Sequence, residues 1–360
     1  MGNSTEESIS PALRILDFVL VITILVLGIA GNTLVFTAYL LSRKLRTKTN
    51  IFVINLALAD VLTCLCLPVV GWSLLIEVSP SDSIDPLLDK LCGIDFGLIQ
   101  VFISSSIMTL ALIAVNRYIL ITKSKDTYER VYQQKFIIAS ICFSWTYPVL
   151  FVTLPLLFNV GHLGFDVNIH ACGARTNHRF SYVYDIIVIS NAIIPIGLII
   201  YSYGGIYLYL RQHNRHLQKG RMTTILFNFF KSNGASANTT RHDLSQNQVD
   251  ITKNLFLILV SFFMCLTPHI MCELIDANFL ITLHTKIIVA LSSCVNPILY
   301  GVRHPHFRRV FKSILSCRWS EIPDPAFKWM KAGPPPSANV SKSRSREIET
   351  VSLSILASRC

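Results

Sequence analysis

Asn296-Pro297-Ile298-Leu299-Tyr300 closes an apolar stretch running from residue 279 to 301, and Val115-Asn116-Arg117-Tyr118 stands near the end of another, from 94 to 121. Arginine and asparagine within segments of this kind are costly in lipid, which makes them functional candidates. Comparable apolar stretches occupy 12–40, 50–76, 134–157, 183–210 and 252–274. Each meets or exceeds the roughly 20 residues a helix needs to cross the hydrocarbon core. The expected architecture is therefore an all-α bundle of seven transmembrane helices, with the two termini on opposite sides.

Composition agrees. The 360 residues are 52% hydrophobic and only 15% charged, with a mean hydropathy of +0.51, whereas soluble domains carry about 25% charged residues. Arg43, Lys44, Arg46 and Lys48 follow the first span, and Lys123, Lys125, Arg130, Lys135, Arg211, Arg215, Lys219 and Arg221 fall on the same side. By the positive-inside rule that side is cytoplasmic and the N-terminus extracellular. Asp82, Asp85 and Asp89 crowd an outer loop. The net charge of +11 then belongs to a cytoplasmic face that meets anionic lipid and acidic partners, not to a nucleic-acid surface. The first span is too long for a signal-peptide core and reads as an uncleaved helix.

The chain divides into an extracellular N-terminus (1–11), a seven-helix domain (12–301), an amphipathic helix (302–317) and a disordered cytoplasmic tail (318–360). The amphipathic helix shows Phe307, Val310, Phe311, Ile314 and Leu315 on one side and Arg303, Arg308, Arg309 and Lys312 on the other, as expected for a helix lying on the inner leaflet. Cys317, directly after it, is either a palmitoyl acceptor or an unmodified thiol. Lys231 to Asn238 reads as a flexible loop, and Ser341, Ser343 and Ser345 among basic residues suit kinases. Among ten cysteines, Cys92 and Cys172 both fall on the oxidising side, where a disulfide persists; two free thiols are the alternative. Asn3-Ser4-Thr5 is a glycosylation acceptor on that side.

Asp60, mid-span in Asn55-Leu56-Ala57-Leu58-Ala59-Asp60, needs a cation, water or hydrogen-bond donors. Ser106, Ser292, Ser293 and Asn296 are candidates to share a bound sodium ion with it, the one metal site the sequence suggests. The other reading is a protonated or water-satisfied aspartate that cements packing.

Gly31-Asn32, Asp60, Arg117-Tyr118, Trp145, Pro195 with Tyr203, Pro268 and Asn296-Pro297-Ile298-Leu299-Tyr300 resemble, helix by helix, the signature of rhodopsin-like (class A) G-protein-coupled receptors. Within that class the Asn-Arg-Tyr motif is nearest to melatonin-receptor-like and invertebrate orphan receptors. The resemblance implies a plasma-membrane switch that converts binding of an extracellular ligand into heterotrimeric G-protein activation, with arrestin and receptor kinases as further partners. It places Arg117 against the G protein, Tyr203 and Tyr300 as supports of the opened state, and Ile107, Pro195, Phe262, Leu266 and Pro268 in the transmission core. No cofactor is required, sodium being the exception as an allosteric ion.

Two positions depart from the family pattern. Asn116 stands where an acidic residue usually precedes the arginine, which weakens the ionic clamp on Arg117 and favours basal activity. Leu266, in Cys265-Leu266-Thr267-Pro268, replaces the usual tryptophan. A constitutively active or decoy receptor is thus the alternative reading. Ile99 lacks the aspartate that holds biogenic amines, Ala290 lacks the opsin lysine, and Asn191 replaces the melatonin-receptor histidine. The outer pocket is left to Phe96, Gln100, Ile103, Asn191, His269, Glu273 and Lys286. Either Glu273 and Lys286 pair with each other, or Lys286 receives a carboxylate. A peptide, a small anionic or lipid-like molecule, or a melatonin-like ligand is favoured over an amine. An intramembrane enzyme would be expected to show a Gly-x-Ser-x-Gly or His-Glu-x-x-His motif, and a transporter inverted repeats; the sequence has neither.

Overall fold

The computed structural model describes residues 10–76, 84–167, 171–175, 178–230, 239–275, 279–327 and 330, with side chains left out at 213–251, 273, 279 and 280. Its helices are α1 (Pro11–Leu41), α2 (Lys48–Leu75), α3 (Pro86–Thr122), α4 (Lys125–Val131), α5 (Gln134–Leu157), α6 (Ser181–Ser190), α7 (Ile193–Phe230), α8 (Thr239–Leu274), α9 (Phe279–Arg303) and α10 (Pro305–Leu315). Among the described residues seven segments are long and apolar enough to span a membrane, the fifth, Ser181–Gln212, being α6 with the first part of α7. Outward faces stay greasy, as Ile200, Met264 and Ile298 show.

Helix starts follow local chemistry. Ser10 accepts from the Leu13 N–H at 3.4 Å, with Pro11 next to it. Asp85 accepts from the Leu87 N–H at 2.7 Å, ahead of Pro86. Each cap satisfies a donor left orphaned at a helix start, and proline at the first helical position loses no bond.

Prolines deeper in the helices shape the bundle. A proline ring clashes with the carbonyl four residues earlier and leaves it without its usual donor. For Pro195 that carbonyl belongs to Asn191, where α6 gives way to α7, and the Tyr147 hydroxyl of α5 donates to it at 3.0 Å. For Pro297 it belongs to Ser293, to which the Asn32 amide donates at 2.9 Å. Gly31 lets the helices close on this point, since a Cβ there would stand 2.9 Å from Pro297 Cβ.

The end of the bundle at the start of α3 carries a hairpin of β1 (Leu163–Asp166) and β2 (Ala171–Ala174), antiparallel with Leu163 opposite Ala174 and Asp166 opposite Ala171. Three ties hold it to α3. Cys92 is bonded to Cys172, so the expected pairing is present. Arg175 meets Asp89 at 2.6 Å, and the Phe165 N–H donates to Asp89 at 3.0 Å. Gly93 allows the contact, because a Cβ would press on the Leu163 carbonyl.

The tail departs from expectation. Residues 318–327 are ordered, folding back along the end of α1. Trp319–Glu321 forms a 3-10 turn, the Ser42 hydroxyl donates to the Pro323 carbonyl at 2.6 Å, the Arg43 N–H donates to the Asp324 carbonyl at 2.9 Å, and the Ala326 N–H donates to the Leu41 carbonyl at 2.8 Å. The end of α1 leaves carbonyls unpaired within the helix, and this strap supplies a donor. Ile322 and Met330 are buried in the main core. Proline and serine content points to disorder here, but Trp319, Ile322, Phe327 and Met330 supply enough apolar surface to dock a short segment. Residues 331–360, with the candidate phosphoserines, lie outside the described residues, as do Asn3 and Lys231 to Asn238.

Candidate functional site

Three polar regions line up along the bundle axis. The outermost is a cavity of about 480 Å³ roofed by Ala171, Cys172 and Ala174 of the hairpin. Phe96, Gln100 and Ile103 of α3, His269 of α8 and Lys286 of α9 all line it. The Lys286 ammonium lies over the Phe96 ring, 5.5 Å from its centre, a cation–π geometry. Gln100 accepts from the Tyr184 hydroxyl at 2.8 Å, and His269 Nδ1 stands 3.3 Å from the Thr285 hydroxyl.

Asn191 is not in this wall. It is 2% exposed, it caps α6, and its neighbours Val188, Ile189 and Ala192 line the cavity instead. The helix break before Pro195 shifts the register of facing positions, which a continuous helical wheel does not anticipate. The side chain of Glu273 lies outside the described residues, as does its suggested pairing with Lys286.

Leu266, with Ile107 and Val289, lines the cavity and also belongs to the main core, which includes Phe262 and Tyr300. Of the expected transmission residues, Ile107, Phe262 and Leu266 share that core, while Pro195 and Pro268 sit within α7 and α8.

The second region is Asp60, 1% exposed. The Asn296 amide donates to it at 2.7 Å, the Ser106 hydroxyl at 3.3 Å, and Ser293 adds a further bond. Ser292 turns its hydroxyl to the Val289 carbonyl at 2.6 Å, so Ser293 is the serine of α9 that serves Asp60. Five residues before the carboxylate in α2, Asn55 accepts from Trp145 Nε1 at 2.9 Å and donates to Thr109 at 2.7 Å and Ser144 at 3.2 Å, joining α2, α3 and α5.

The third region lies at the end of the bundle opposite the hairpin. Arg117 is 5% exposed and surrounded by Tyr128, Tyr203 and Tyr300. The Tyr300 ring stacks on Phe307 of α10 at 5.3 Å, and Tyr203 meets Phe256 of α8 at 5.1 Å. Tyr118 packs edge-on against Tyr201 at 5.4 Å. Asn116 does more than leave a charge out. Its oxygen accepts from Thr49 of α2 at 2.6 Å and its amide donates to Tyr128 of α4 at 3.2 Å. The residue that reads in sequence as a weakened clamp is a brace between α2, α3 and the loop helix α4. Cys317, half-buried just past α10, takes a positive φ of 53°.

Sequence reasoning missed Thr49, Tyr128, Tyr184 and Thr285, since ordinary hydroxyls carry no signal by themselves. Asp17 and Asp95 did carry one, being carboxylates within apolar helices like Asp60. Asp17 is fully buried, 3.3 Å from His284 of α9, and Asp95 is bonded to Cys66 of α2.

A sequence model of the family "7 transmembrane receptor (rhodopsin family)" matches residues 31–300. The G-protein coupled receptor moody of Drosophila melanogaster is 26% identical over 355 residues, covering 84% of this chain and 52% of that protein. Human melatonin receptor type 1B is 26% identical over 332 residues, covering 87% and 80%. Melanopsin-B of Xenopus laevis is 27% identical over 303 residues, covering 81% and 53%, so the chain spans about half the length of moody and of melanopsin-B. The crystal structure of squid rhodopsin superimposes with a TM-score of 0.71 at 19% identity, covering 86% of this chain and 89% of that one, which establishes a shared fold. Family match, seven spans and the polar axis from cavity to Arg117 agree: the chain belongs to the rhodopsin family of seven-transmembrane, G-protein-coupled receptors.

Proposed function

We propose that this receptor answers a small extracellular ligand bound in the cavity between α3, α8 and α9, and passes occupancy to a heterotrimeric G protein at Arg117, with its N-terminus outside the cell. One observation carries the reading: Ile107, Leu266 and Val289 touch the ligand space and share a packed core with Phe262 and Tyr300. Packed cores have discrete arrangements, so a ligand that favours one arrangement shifts the cytoplasmic end with it. The hairpin roof favours a compact ligand over a long peptide. Asp60 with the oxygens of Ser106 and Ser293 fits a hard monovalent cation, whose charge would offset the buried carboxylate; these residues would then hold sodium as an allosteric ion. Arrestin, receptor kinases and membrane lipid complete the partner set.

The test is nucleotide exchange on a panel of Gα subunits, comparing the wild-type receptor with Arg117→Ala at matched surface expression. Exchange that vanishes in the variant is expected; equal exchange in both would overturn the assignment of Arg117. The sodium reading fails if thermal stability in sodium and in choline chloride is the same for wild type and for Asp60→Asn.

A further inference from the structure

We infer that the ligand is a long-chain monocarboxylate, with its carboxylate on Lys286 and its hydrocarbon chain in the apolar lobe between α1, α2 and α9. This rests on the receptor reading above and names the ligand class of that same cavity. On α9, Leu283, Lys286, Ile287 and Ala290 all line the cavity. They follow one another at the three- and four-residue spacing of a single helix face. The ammonium therefore sits within a mostly apolar stripe, with Thr282 one turn away as its one uncharged polar neighbour on that face.

The wall on either side of that stripe differs in chemistry. Toward α1 and α2 it is formed mainly by Val21, Leu67, Val70, Leu74 and Ile287, its polar side chains being the uncharged Thr63 and Thr282. Most of these form an apolar cluster separate from the main core. Toward α6 apolar Val188, Ile189 and Ala192 are interrupted by Gln100, hydrogen-bonded to Tyr184, and by the carboxyl-bearing Asp185. An acid head is repelled by Asp185 and attracted by Lys286, whose ammonium has three donors to share. A hydrocarbon tail gains nothing beside Gln100 and is fully matched beside Val21 and Leu74. Polarity thus orients the ligand. The cavity of about 480 Å³ is many times the roughly 30 Å³ that one water takes in the liquid, which suits a long acyl chain rather than acetate or an amino acid.

The experiment is thermal stability of the full-length receptor in nanodiscs, titrated with oleate, decanoate, oleyl alcohol and oleylamine. Oleate should raise the melting temperature saturably, and the alcohol and amine should not. Lys286→Gln should raise the half-maximal oleate concentration about tenfold or more, the effect of losing one charge-assisted hydrogen bond, and Lys286→Arg should restore it. Val70→Trp, which fills the outer lobe at a half-buried position, should move the preference from oleate to decanoate. Equal stabilisation by alcohol and acid, or an oleate response unchanged in Lys286→Gln, overturns the carboxylate anchor. An unchanged chain preference in Val70→Trp overturns the placement of the tail. Nucleotide exchange measured in parallel separates the two levels. Oleate binding without exchange on any Gα leaves the ligand class standing and counts against the receptor reading, whereas exchange driven by another ligand, with no oleate binding, does the reverse.

Discussion

Thr49 and Asn116 form one of the shortest side-chain contacts in the bundle, 2.6 Å between residues 3% and 0% exposed. Thr49→Val keeps the shape and removes the donor, while Asn116→Leu removes the acceptor along with the bond to Tyr128. A buried hydrogen bond contributes about 0.5–1.5 kcal/mol net, and a buried group left without its partner costs about 1–3 kcal/mol. Each single substitution should therefore destabilise by about 1–3 kcal/mol, with a melting-temperature shift below the about 2–4 °C per kcal/mol of domains of about 150–250 residues. The double variant should fall short of the sum by about 1 kcal/mol, because the bond can be lost only once. Asn116→Asp should remain near wild-type stability, since a carboxylate accepts from both hydroxyls. The assay is thermal unfolding of the four members of the cycle in one detergent. Additivity within about 0.3–0.5 kcal/mol would refute the brace and return Asn116 to the role of a missing acid beside Arg117.

Three further outcomes follow from other sites. Burial, then the charge of Arg117, then that of His306, push the His304 imidazole down to about 3, so it is neutral in the fold but protonates in the unfolded chain below about 6.5. Stability is full above that pH and should fall as pH drops from about 6.5 toward 3, by at most about 1.4 kcal/mol per unit from this group; His304→Asn, which preserves the cap on Phe307, should flatten the curve of melting temperature against pH. Asn55→Leu strands the Trp145 N–H and severs the link between α2, α3 and α5, so a loss of about 1–3 kcal/mol is expected in thermal unfolding. Ile322→Asp, at 2% exposure, should release the strap after α10, seen as faster amide exchange in residues 318–327 while the bundle helices keep their protection.

The hydropathy of the chain determined seven spans, because lipid obliges each crossing segment to satisfy its own backbone bonds as a helix, and that obligation is met within some 20 consecutive residues. Buried chemistry at Asp60, Arg117 and the prolines was legible for the same reason: a costly residue stands out against an apolar background. Which partner each polar group takes was decided only by packing. Asn32 reaches a carbonyl 261 residues away, the break at Asn191 turns that side chain from the cavity it was expected to line, and Asn116 becomes a brace because Thr49 and Tyr128 happen to face it. The tail ordered itself on Leu41, Ser42 and Arg43. Such contacts depend on helix rotation and on backbone groups exposed at distant helix ends, quantities that no local window of sequence contains.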